Sequence, residues 1–183
     1  VDTSWRERFA LDHSIQFGDG FFRSAQWSLY SQASKTRQFT DEDRFTAADR
    51  LRDATFDNRV WGLNSQLDGA FVTGPAEHHW TAGIDYSSLT QSSIRTGTVP
   101  PIGEAFPARP FPTTDYQLTG VFLQEEISFL DGQLVFYPAL RYDAYELQPA
   151  RDALYPSSQP ATPSDGSHVS PKLGVVVWPS DWL

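Results

Sequence analysis

The sequence predicts an all-β fold, an antiparallel up-and-down transmembrane β-barrel segment of about seven strands. In the strand-like segments, apolar and polar residues alternate with a period of two. Tight turns and long loops alternate between these segments, as they do in barrels with short turns on one side of a membrane and long loops on the other. The longest apolar run, residues 175–178, is too short for a spanning helix, so any span must be a strand.

The first three strands are predicted at residues 5–17, 24–32 and 60–71. Alternate positions share one face of a strand, and here one face is apolar or aromatic while the other is polar. The residues assigned to the apolar face are Trp5, Phe9, Leu11, Ile15, Phe17, Ala25, Trp27, Leu29, Trp61, Leu63, Leu67 and Phe71. Helical periodicity is weak, and its best candidate is residues 47–53.

Four more strands are predicted at residues 80–86, 117–129, 134–146 and 169–177. Several of the seven exceed ten residues, the length that crosses a bilayer at a tilt. The apolar face is assigned Trp80, Ala82, Ile84, Tyr86, Val121, Leu123, Ile127, Phe129, Leu134, Phe136, Leu140, Tyr142, Val169, Leu173, Val175 and Val177.

The connections set the expected orientation. Tight turns are predicted at residues 18–20, 74–79, 130–133 and 178–181. Polar or proline-rich loops, which we expect to face outward, are predicted at residues 40–57, 98–115 and 149–168. The aromatic residues Phe71, Trp80, Phe129 and Trp178 lie beside the turns, where an interfacial girdle would be.

Composition narrows the class of protein. The chain has 183 residues, neither Cys nor Met, and a net charge of -9, which argues against a nucleic-acid surface. An odd number of strands cannot close an antiparallel barrel, and two bare edges in lipid are costly. We therefore expect residues 1–183 to be a partial barrel domain and an interior or processed piece of a longer protein.

The polar face of a wide barrel lines a wet or plugged lumen. The residues predicted to form this lumen wall are Asp85, Gln124, Glu126, Arg141, Asp143 and Lys172. At the outer rim, His168, Tyr145 and Tyr155 are candidates for ligand contact, although a lone histidine at a rim usually has no special role.

No catalytic residue and no resident metal site is predicted. Glu125 and Glu126 are strand neighbours that point to opposite faces, and the same alternation separates His78 from His79. The acidic start of loop 40–57 lacks the glycine and the final glutamate of a calcium loop.

Residues 120–147, 168–175 and 80–86 resemble barrel strands of TonB-dependent outer-membrane receptors, and residues 24–38 are similar to their haem/haemoglobin branch. The resemblance implies a 22-stranded barrel with an N-terminal plug in the outer membrane of a bacterium. It implies a transporter rather than an enzyme, with haem as possible cargo and no covalent cofactor. The implied partners are outer-membrane lipid, an extracellular haem carrier, haemoglobin or ferric chelate, and the TonB complex acting through the plug.

Two alternatives remain open at the level of the sequence. The same barrel could serve a siderophore, that is, a ferric chelate; segments that would distinguish the branches are not in this chain. A soluble β-rich binding or adhesion module is the alternative of another class, and it would stay soluble and monomeric without detergent.

Overall fold

A computed structural model describes residues 1–178, which form one antiparallel sheet in the strand order β1 to β7. Each strand pairs with its neighbour in sequence, so the sheet is an up-and-down meander and the predicted fold class is confirmed. The strands are β1 (Asp2–Gln16), β2 (Ser24–Glu42), β3 (Arg50–Thr73), β4 (Ala76–Gly97), β5 (Thr113–Phe129), β6 (Leu134–Ala150) and β7 (Ser164–Val177). Within residues 1–178, no helix is long and apolar enough to cross a membrane.

The strands are longer, and the long loops shorter, than the sequence pattern predicts. The loops span residues 43–49, 98–112 and 151–163 rather than 40–57, 98–115 and 149–168. The helix candidate at residues 47–53 is wrong, because its last four residues belong to β3. Ion pairs between β2 and β3 support the extension: Arg50 with Glu42 and Arg37 with Asp53. Charged strand residues carry no apolar alternation, so the pattern reads them as loop.

Three of the tight turns lie in the described residues. The turn at residues 130–133 is confirmed, with positive φ at Leu130, Asp131 and Gly132. Gly18 turns the chain between β1 and β2. The turn predicted at residues 74–79 is only two residues long, since β4 already begins at Ala76. The turn predicted at 178–181 lies largely outside the described residues. We call the end of the sheet with these turns the turn end, and the opposite end the loop end.

The two faces of the sheet differ in chemistry all the way across it. One unbroken row of cross-strand neighbours, the polar row, consists of Asp12, Ser28, Asn64, Asp85, Gly120, Asp143 and His168. Three positions closer to the turn end, on the other face, the apolar row consists of Ile15, Ala25, Leu67, Ala82, Leu123, Leu140 and Pro171. The sequence-derived faces are therefore continuous across seven strands.

The band of apolar side chains around the apolar row runs at an angle to the rows. On β1 and β3 it extends toward the loop end, to Phe9 and Trp61, which are 73% and 49% exposed. On β7 it extends toward the turn end, to Val175 and Val177, 51% and 63% exposed. A level band on tilted strands must cross the rows in this way, since barrel strands tilt by about 35–45°.

Side-chain packing between neighbouring strands replaces a hydrophobic core. Within residues 1–178 the buried apolar side chains are few: Ala76, Ala108, Val135 and Tyr155. Aromatic rings lie instead over glycines directly across the ladder. The pairs are Tyr30 with Gly62, Phe122 with Gly83, Tyr145 with Gly166, Tyr137 with Gly174, and Trp80 with Gly69. Such pairs fix the register of the strands.

Candidate functional site

A hydrogen-bonded group of three charges lies at the centre of the polar face. Arg141 of β6 donates from Nη2 to Asp85 Oδ2 at 2.8 Å and from Nε to Asp143 Oδ1 at 2.8 Å. Asp85 is on β4, two strands away, and Gly120 of β5 separates it from Asp143. A Cβ at Gly120 would lie 2.2 Å from Arg141 Nη2, so glycine leaves the space through which the guanidinium reaches Asp85.

These charges line a cavity of about 550 Å³ that also contains two of the predicted rim residues. His168 is the cross-strand neighbour of Asp143, and Tyr145 lies over Gly166 beside it. His168 is inside β7 rather than in the predicted loop, which corrects the boundary at residue 168. The structure thus brings His168, Tyr145 and the charged group together on one face.

The loop-end part of the polar face is aromatic. Tyr30, Leu118 and Tyr145 occupy one row, two residues from the polar row toward the loop end. Tyr116 follows, with its ring centroid 6.3 Å from that of Tyr145. Phe56 packs against Phe111 at 5.8 Å. We call Tyr30, Phe56, Tyr116, Leu118 and Tyr145 the outer zone.

The turn-end part of the polar face is hydrophilic. Gln124 and Lys172 share a row with Thr81 and Asp68, and Glu126 neighbours His79. Asp68 accepts hydrogen bonds from Thr81 Oγ1 at 2.8 Å and Ser24 Oγ at 3.1 Å. All six residues predicted to form a lumen wall lie on this one face. Their contact with a plug remains a prediction.

Arg109 joins the two proline-rich loops. Its backbone N–H donates to Leu154 O at 2.8 Å, its Nη1 donates to Ser93 O at 3.1 Å, and its Nε donates to the carboxylate of Asp152. This hydrogen bond holds the pKa of the Asp152 carboxyl below its usual value. The third predicted rim residue, Tyr155, is 8% exposed and donates to Pro160 O, so its side chain supports the loop.

Several side chains of this site were not singled out from the sequence. Asn64 and Tyr30 join the cavity only because cross-strand register aligns them with Asp85 and Tyr145. Arg109 lay in a segment read as solvated loop. Asp68 is polar-face in the sequence pattern and was left out only of the lumen-wall set, although Gln66 and Asp68 repeat the i, i+2 polar spacing of Arg141 and Asp143. Within residues 1–178, no group of three or more His, Asp or Glu residues is placed to hold a metal ion.

A meander of seven long antiparallel strands with one polar and one apolar face is the structure of a β-barrel segment, and the comparisons with known proteins agree. The family described as TonB dependent receptor-like, beta-barrel, matches residues 1–183. The chain therefore belongs to the TonB-dependent receptor β-barrel family. A comparison with curated proteins finds no match.

Solved structures share the fold at low sequence identity. BauA, the ferric preacinetobactin receptor of Acinetobacter baumannii, has a TM-score of 0.70 at 15% identity over 97% of this chain and 29% of its own. The ferric citrate transporter FecA gives 0.66 at 15%, over 98% and 26%. The copper transporter OprC gives 0.65 at 13%, over 96% and 28%. The chain spans less than a third of each of these structures.

Proposed function

We propose that the chain is part of a bacterial outer-membrane receptor. The receptor binds haem or a haem-carrying protein outside the cell and imports the haem as an iron source. Membership of the receptor family supports the general role. The observation that carries the choice of ligand is the outer zone of the polar face. A ligand entering from the loop end meets aromatic side chains first and the Asp85–Arg141–Asp143 group after them.

The inclined apolar band supports the membrane location. Ile15, Leu123 and Leu140 of the apolar row are 39%, 53% and 52% exposed, and the described residues offer nothing to cover them. Water would disfavour that surface, whereas lipid tails match it. In this arrangement the polar face lines the lumen, and the loops at 43–49, 98–112 and 151–163 face the outside. Residues beyond this chain supply the plug on which the TonB complex acts.

Haem fits the outer zone in shape and chemistry. It is a flat, largely apolar ring, and aromatic side chains stack on such surfaces. Histidine and tyrosine are also the side chains that ligate haem iron in many proteins. Tyr145 and His168 line one cavity on this wall, which supports the proposal that they meet the ring during its passage.

A ferric chelate is the second candidate, and a specific observation favours it. The similar structures include one named as a ferric preacinetobactin receptor and one named as a ferric citrate transporter. A small acidic chelate such as citrate would need an unpaired cation in the cavity. Arg141, the arginine of the cavity, already binds two carboxylates, which weighs against an acidic chelate at this position.

Growth on defined iron sources tests the proposal. Cells that rely on the full-length receptor are given haem, haemoglobin or ferric chelates as the sole iron source. We expect growth on haem or haemoglobin, and a several-fold slower haem uptake in Tyr145→Ala. Tyr142→Ala is the matched control, since Tyr142 is similarly exposed (43% against 41%) on the apolar face of the same strand. Growth on a ferric chelate alone would establish the second candidate and contradict the first.

A further inference from the structure

An ionisable side chain stands in the apolar band. Glu125 occupies the apolar face of β5 between Leu123 and Ile127, and Trp80 and Pro138 flank it on β4 and β6. The cost of a charge on a lipid-facing strand surface depends on depth: it is largest at the bilayer centre, small near the interface, and smaller for Asp and Glu than for Arg and Lys. Glu125 is not part of the polar wall described above, so its place on the apolar face raises the question of which group it meets there.

The carboxylate is held in a hydrogen-bonded chain. His78 Nδ1 is 2.7 Å from Glu125 Oε1, and His78 Nε2 is 2.7 Å from Thr73 Oγ1. The imidazole stacks on Phe71, with ring centroids 4.4 Å apart and an interplanar angle of 6°. Both ring nitrogens are thus occupied and the ring is fixed. The Glu125 carboxylate finds a hydrogen-bond partner among the described side chains through Oε1 and not through Oε2. The Glu125 side chain is 26% exposed.

The depth of Glu125 matches a membrane interface. It lies four residues from Phe129, where β5 ends in a tight turn. At about 3.3 Å per residue and a tilt of about 45°, this is about 10 Å of membrane height. Aromatic side chains surround this level: Phe21, Phe22, Trp80, Phe129 and Phe136. In the proposed membrane location, with the turn end toward the inner leaflet, headgroups of that leaflet would lie near this height and their acyl chains would run along Leu123 and Leu140.

We propose that Glu125, oriented by His78, binds the ammonium group of an ethanolamine phospholipid on the outer surface of the barrel. The carboxylate accepts hydrogen bonds from the ammonium through Oε2, and the neighbouring aromatic rings attract the same cation. Charge complementarity selects this occupant over an anionic lipid. The inference rests on the proposed membrane location.

Native mass spectrometry of the full-length receptor tests this proposal. The protein is released from bilayers that contain equal amounts of phosphatidylethanolamine, phosphatidylcholine and phosphatidylglycerol, and retained lipids are counted. We expect phosphatidylethanolamine to be enriched about three- to fivefold on the wild type. Glu125→Gln should abolish the enrichment. Glu126→Gln should keep it, because this neighbouring carboxylate lies on the polar face.

The outcomes separate the two proposals. Equal retention of the three lipids by the wild-type protein overturns the headgroup site, and this comparison needs no variant to fold. Equal enrichment of phosphatidylethanolamine on Glu125→Gln and on the wild type also overturns the headgroup site. The same holds if the wild type retains a co-purifying protein rather than the lipid and Glu125→Gln does not retain that protein. A full-length receptor that does not insert into bilayers at all would instead overturn the membrane location.

Discussion

The turn-end half and the loop-end half of the β2–β3 hairpin differ in the side chains that they carry on the same face: one is apolar and the other is charged. In the turn-end half, the apolar face carries Leu67, Leu63 and Trp61. Beyond Trp61 the same face carries charged residues, and Lys35 pairs with Asp57 while Arg37 pairs with Asp53. On the polar face the order is reversed, from hydrophilic side chains at the turn end to the outer zone at the loop end. In the proposed membrane location, the change at Trp61 marks the position at which lipid gives way to water.

Labelling of cysteines from outside the cell tests which end of the sheet faces the cell exterior, and the expected difference is all or none. In the full-length protein on intact cells, an impermeant thiol reagent should label Pro107→Cys, whose loop lies at the loop end. Asp131→Cys, in a tight turn, should react only after lysis. Equal labelling of both sites on intact cells would contradict the orientation.

A charge in the apolar half should disrupt assembly. Ile84 is 41% exposed on the apolar face, one residue from Asp85 on the polar face. Ile84→Arg should destabilise the folded barrel by about 2–4 kcal/mol, the cost of a cation facing lipid near the bilayer centre. A heat-modifiability gel measures the folded fraction of each variant, and Asp85→Arg should reduce that fraction less than Ile84→Arg does. The reverse order would mean that the two faces are exchanged.

Filling a glycine under an aromatic ring should cost somewhat less. A Cβ at Gly83 would lie 2.5 Å from the Phe122 ring and 2.7 Å from Ser65 O, so Gly83→Ala should destabilise by about 1–3 kcal/mol. Gly174→Ala is the matched control, because its nearest contact, Tyr137 Cβ, is 3.4 Å away. Urea unfolding of the refolded receptor measures both. Similar midpoints for the two variants would show that the closer approach of the ring at Gly83 does not limit packing.

Removing an ion pair from the charged half should have a small effect. Arg37 and Asp53 lie at the surface, where solvent screens the pair, so a double-mutant cycle with alanine should give only a small coupling free energy. The expected change is faster proteolysis near residues 43–49 with unchanged assembly. A loss of assembly would mean that this half of the hairpin is also needed for the barrel to form.

Acid should loosen the contact between the proline-rich loops and leave the apolar half unchanged. The pKa of Asp152 is lowered by Arg109, so the contact is complete above the unfolded pKa of about 3.9 and is lost as pH falls through the lower folded value. Relative to the intrinsic exchange rate at each pH, the protection of residues 151–163 against hydrogen exchange should therefore fall below about pH 4. Arg109→Gln should remove the pH dependence of exchange in residues 151–163 and leave the exchange of the strands unchanged.

The sequence predicted the apolar half well and the charged half poorly, for one physical reason. Period-two alternation at Trp80, Ala82 and Ile84 separates an apolar face from a polar face, so the strands could be located from the sequence. Where both faces of a strand meet water, as at Arg50 and Asp53, no alternation remains, and strand was read as loop. Pairing between charged residues on different strands cannot be read from one segment alone.

By itself, the sequence determined the number of strands, their faces and the side of each connection, since these depend on neighbouring residues along one chain. Only the tertiary structure decided which side chains meet. Cross-strand register placed Asp143 beside His168, left Gly120 between two carboxylates, and brought Glu125 to His78, 47 residues away in the chain. A shift of one residue in any pairing would move these groups to opposite faces, so register gives this wall its chemistry.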